Sequence, residues 1–112
     1  MKNTLINTDV VLATTNTSIV ESATGEDTIL DAVIAYNSHS SAIVVTLTLG
    51  AIFVVKSVAA WATVNLIDGF VLPIKAGETF YGKAATWAKV NIKAIGKKAS
   101  AGNLTTSAVL GS

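Results

Sequence analysis

Residues 42–49 read Ala42-Ile43-Val44-Val45-Thr46-Leu47-Thr48-Leu49, and this stretch decides the fold. Ile43, Val45, Leu47 and Leu49 alternate with Val44, Thr46 and Thr48. A period of two sends the two sets of side chains to opposite faces of an extended strand. The competing assignment is a membrane helix, because residues 32–55 carry no charge. A spanning helix needs about 20 predominantly apolar residues, and the polar run Tyr36-Asn37-Ser38-His39-Ser40-Ser41 interrupts this one. The segment is therefore a strand, and no membrane association is expected. Met1-Lys2-Asn3-Thr4 also lacks the apolar core of a secretory signal.

Outward from this strand the chain alternates short strands with turns. Residues 10–14 and 18–22 are strand segments around Thr15-Asn16-Thr17, and residues 23–27 form a turn containing Gly25. Residues 28–36 follow, with Leu30, Ala32, Ile34 and Tyr36 expected on one face. Gly50 separates the central strand from residues 51–58, either a continuation through a bulge or a new strand. Residues 63–67 end at the turn dipeptide Asp68-Gly69, and Pro73 marks the next segment as an edge strand or an irregular pairing. Ala76-Gly77 turns into residues 78–83, and the last clear strand spans 88–95 with Val90, Ile92 and Ala94 inward. No apolar stripe of helical period occurs. The expected fold is all-β: a single antiparallel β-sandwich, jelly-roll-like, over residues 10–98, with a flexible arm at 1–9 and a flexible tail at 99–112. Its core should contain Leu30, Ile34, Ile43, Val45, Leu47, Leu49, Val90 and Ile92.

Composition agrees and narrows the function classes. Val, Ile and Thr make up 37 of the 112 residues, and such stiff, branched side chains favour pleated surfaces. There is no Cys and only one His, which excludes disulfide frameworks and multi-histidine or thiolate metal sites. A formal charge of +1 with no Arg argues against a nucleic-acid partner. A compact monomer of this mass would expose about 5,800 Å², a large area for only 15 charged residues. Sparse charge points to a surface covered by further copies or other chains, that is, a homo-oligomer. A surface solvated by the 30 Thr, Ser and Asn residues is the other possibility.

Residues able to do chemistry are few. His39 sits in a Ser-rich loop with no acid beside it, as a solvated turn residue would. Glu26 and Asp27 are neighbours in a turn, so their carboxylates diverge rather than form a catalytic pair. No Asp-x-Asp-x-Asp calcium loop or phosphate-cradling Gly loop is present. No enzyme activity, cofactor or metal is therefore expected. Binding signals are aromatic and terminal. Trp61 and Trp87 lie among alanines, which favours burial in the core or at a subunit interface; a sugar-stacking platform, with Tyr36 and Tyr81, is the alternative. The apolar pairs Leu5-Ile6 and Val109-Leu110 stand in otherwise polar ends and are useful against another surface. Leu5, Ile6, Trp61, Trp87, Val109 and Leu110 are thus the candidate interface residues. Charge is also split, with five acids and one Lys in residues 1–31 against seven Lys and two acids in 32–112.

Three segments carry a family resemblance: residues 29–37, residues 42–49, and Leu72-Pro73-Ile74-Lys75-Ala76-Gly77-Glu78-Thr79-Phe80-Tyr81-Gly82-Lys83-Ala84. A strand ending in Asn, a Val/Thr strand, and a Gly-acid turn into a small-residue strand together resemble small structural proteins of tailed-bacteriophage virions. The resemblance covers roughly residues 19–95; Glu78 stands where Asp is commoner, and the region of Trp61 has no counterpart. It implies a β-sandwich of a phage particle: a capsid decoration protein, head-fibre base, or neck or tail component. It further implies binding to the major capsid protein or other virion subunits, a trimer as the favoured oligomer, and location in the virion. It brings no catalytic residues.

Overall fold

The computed structural model describes residues 4–100. Nine strands and no helix occur among them: β1 Thr4–Val11, β2 Thr17–Glu21, β3 Glu26–Asn37, β4 Ile43–Leu49, β5 Ala51–Val58, β6 Thr63–Asn65, β7 Leu72–Ile74, β8 Thr79–Ala84 and β9 Val90–Ser100. They form two antiparallel sheets, one ordered β1-β9-β3 with β6 and β7 end to end along the far edge of β3, the other ordered β2-β8-β4-β5. The protein is an all-β sandwich. The first four strands pair in turn with the later ones: β1 with β9, β2 with β8, β3 with β6 and β7, and β4 with β5. A second set of pairings, β9 with β3 and β8 with β4, ties this ribbon into sheets.

The alternation that marked residues 43–49 does the expected packing. Ile43, Val45 and Leu47 are fully buried, while Leu49 at the hairpin end is half-buried against the core. Phe80, Leu12, Leu30, Ile67, Ile74, Val90 and Ile92 complete the space between the sheets. At roughly 1.5–3 kcal/mol per large apolar side chain, this cluster is the principal stabilising term. Gly50 has φ +74° and closes the β4–β5 hairpin, so residues 51–58 form a new strand rather than a continuation of β4. Pro73 lies on the short edge strand β7, where its missing N–H costs no ladder bond.

Three expectations need correction. Residues 4–9 are not a free arm: β1 pairs with β9 from Thr4↔Lys98 to Val11↔Asn91. Its period was masked because Thr8 occupies the inward row with Ile6 and Val10, while Leu5 and Val11 take the outward row. At the other end the sheet extends past residue 98, pairing Ala99 with Asp27 and Ser100 with Glu26. Finally, β3 changes phase. Leu30 pairs with Gly96 but Ala32 pairs with Ile95, so Asp31 is an extra residue and the strand bulges there. Thr28 and Leu30 point inward before the bulge, and Val33, Ala35 and Asn37 after it. Ile34 is consequently half-buried and Tyr36 exposed. The close approach of backbones at the bulge also fixes Gly96: a Cβ there would lie 2.1 Å from the Ile29 carbonyl oxygen.

Candidate functional site

Four loops, residues 12–16, 38–42, 59–62 and 85–89, gather at one end of the sandwich. The strand registers put them there, since Val11 faces Asn91, Asn37 faces Val90, Ile43 faces Val58, and Tyr36 faces Thr63. Asn37 is the hub. It is fully buried, and its Nδ2 donates to the carbonyls of Ser41 at 2.9 Å, Val58 at 3.0 Å and Ala59 at 3.3 Å. Its Oδ1 accepts from the His39 N–H at 2.8 Å. Next to it, the Ser38 N–H and Oγ both donate to the Lys89 carbonyl, at 2.8 and 2.9 Å. The loops of Trp61 and Trp87 are thus both tied to the corner formed by Asn37 and Ser38. His39 behaves as a turn residue, its Nδ1 accepting from the Ser41 N–H at 3.1 Å.

Both tryptophans are largely exposed in the chain, Trp61 at 60% and Trp87 at 66%. Core burial, one of the expected fates, is therefore overturned. Alanine-rich neighbours suggested burial, but these alanines occupy loops whose strands supply the core from other positions. Trp61 also has a left-handed backbone, with φ 60°, and Ala88 beside Trp87 has φ 57°.

Leu5 and Ile6 separate, as neighbours on a strand must. Ile6 is buried under the sandwich, while Leu5 points outward and is almost fully exposed. Both border a cleft of about 380 Å³ where the edges of the two sheets part, lined also by Thr8, Ile19, Glu21 and Lys98. Thr8 Oγ1 is buried with no hydrogen-bond partner, which is true of no other side-chain polar atom among the described residues. Val109 and Leu110 lie outside the described residues.

The largest exposed apolar strand was missed. β5 is an edge of the four-stranded sheet, paired only with β4, and it exposes Ile52, Phe53 and Val55. Five consecutive apolar residues, 51–55, were the available signal; they break the alternation expected of a strand with one wet face. A bulge between the pairs Leu47↔Val54 and Thr48↔Ile52 makes Phe53 the extra residue, and its ring lies 6.0 Å from that of buried Phe80.

Charged groups are dispersed. Lys98 approaches Glu26 at 3.8 Å in a half-buried surface pair of little energetic weight, and Asp27 accepts from the Ala76 N–H at 3.0 Å. No three metal-binding side chains cluster among the described residues. Comparison with protein-family models and with curated proteins finds no match.

Proposed function

We propose that the protein is a non-enzymatic structural component of a tailed-bacteriophage particle, a capsid decoration or auxiliary protein that binds copies of itself and neighbouring coat or virion subunits. The observation that carries the assembly half of this proposal is β5. An eight-residue edge strand with Ile52, Phe53 and Val55 exposed and Lys56 as its single charge is open to pairing with another chain. Free monomers blunt such edges with charges, prolines or covering loops. The pairing of early strands with late ones supports a jelly roll, an architecture found in viral capsid and lectin domains. Placement in a virion rests on the resemblance of residues 29–37, 42–49 and 72–84 to phage structural proteins. A trimer is the favoured oligomer on the same ground.

Mass spectrometry of density-banded particles from the encoding phage tests the placement. The chain should be present at a fixed copy number relative to the coat protein. Its absence from banded particles would refute the virion assignment.

A further inference from the structure

Four turns among the described residues share one geometry. In residues 23–26, 59–62, 67–70 and 75–78, the first carbonyl accepts from the fourth N–H at 3.0, 3.1, 3.2 and 3.0 Å. In each, the third residue has positive φ. Three of these positions are glycine, Gly25, Gly69 and Gly77; the remaining one is Trp61. A bulky side chain in a left-handed turn is a true outlier, and such strain gathers where function retains it. Nothing in the packing retains it, because Trp61 is mostly exposed.

We propose that the loop end bearing Trp61 and Trp87 is a binding site for neutral oligosaccharides. This goes beyond assembly and depends on none of it. Two exposed indoles stand on loops whose backbones are pinned by Asn37 and Ser38, which lowers the ordering cost of binding. The loop residues 12–16, 38–42, 59–62 and 85–89 contain no Asp, Glu or Arg, and Lys89 is their single Lys. Exposed Thr14, Thr15, Asn16, Ser40 and Ser41 supply hydroxyl and amide groups instead. A sugar ring has an apolar C–H face for an indole and a rim of hydroxyls for such groups. A phosphate, nucleic acid or acidic peptide would find one cation, Lys89, within these loops, too few for a charge-driven site. A protein partner would be expected to meet further large apolar residues, yet Trp61 and Trp87 are the only exposed ones in the four loops.

The test uses the full chain and soluble neutral oligomers of hexoses, deoxyhexoses and N-acetylhexosamines at millimolar concentration. At least one class should blue-shift tryptophan emission and protect it from iodide. Trp61→Ala and Trp87→Ala should each weaken that binding by about three- to tenfold, the scale of one lost aromatic contact, while thermal melting shows both variants folded. Emission unmoved by every oligomer would overturn the proposal. So would tryptophans already shielded from iodide before sugar is added, or binding retained in both variants. Light scattering on the same samples reads assembly separately, so failure of one proposal is distinguishable from failure of the other.

Discussion

Replacing Asn37 by Ala removes the hub of the tryptophan-bearing end. The Val58 carbonyl, in a residue only 1% exposed, loses its 3.0 Å side-chain donor in a place water reaches poorly. An orphaned buried group of this kind costs about 1–3 kcal/mol. Ser41 and Ala59 are exposed, so their carbonyls rehydrate, and each lost bond there costs about 0.5 kcal/mol net. With the His39 N–H also released and a small cavity left, the loss should be roughly 3 kcal/mol. That corresponds to a drop of about 12 °C or more in Tm for a domain of this size, measured by circular dichroism with urea titration alongside. Asn37→Asp sharpens the test. Its carboxylate would face three carbonyl oxygens in a buried site, so its folded pKa should lie above the unfolded value of about 3.9. Stability of that variant should be highest below this pH and fall as pH rises through it, the reverse of an ion-paired carboxylate. A loss below about 1 kcal/mol for Asn37→Ala, within the usual range for an ordinary exposed position, would refute the hub role.

Gly96→Ala should destabilise by about 3 kcal/mol or prevent folding, because the added Cβ meets the Ile29 carbonyl oxygen at 2.1 Å and backbone cannot move aside cheaply; a near-neutral melting curve would contradict the β3 bulge. At position 61, Gly should be more stable than Ala, opposite to the usual order. The left-handed cost to Ala is about 1–2 kcal/mol, and the entropy cost of Gly, about 0.5–1 kcal/mol, leaves roughly 0.7 kcal/mol in favour of Gly. Paired urea melts of Trp61→Gly and Trp61→Ala check the sign.

The fold was legible where alternation was clean and obscured where one residue broke it. Ile43, Val45 and Leu47 announced β4 because Thr and Val separate them on a strand with one inner face. In β3 the inserted Asp31 moves every later side chain to the opposite face, and no local residue pattern marks a bulge that depends on the partner strand. β1 was hidden because Thr8 faces inward while Leu5 and Val11 face solvent, reversing polarity at three of its positions. At the candidate site, the tryptophans were visible in the sequence but their exposure was not. Alanine neighbours report low polarity, whereas exposure depends on which loops the strand registers collect at one end. The left-handed turn at Trp61 had no signal, since the sequence marks such positions by glycine, as at Gly25, Gly69 and Gly77.

Self-association through β5 is the claim on which the structural role turns, and the mass of the full chain in solution tests it most directly. Multi-angle light scattering across micromolar concentrations should give a defined oligomer for the wild-type chain. Val55→Lys, which sets a charge on an edge already carrying Lys56, should shift it toward the monomer mass of 11.5 kDa. A wild-type mass of 11.5 kDa at every concentration, or an oligomer indifferent to Val55→Lys, would contradict assembly through this edge.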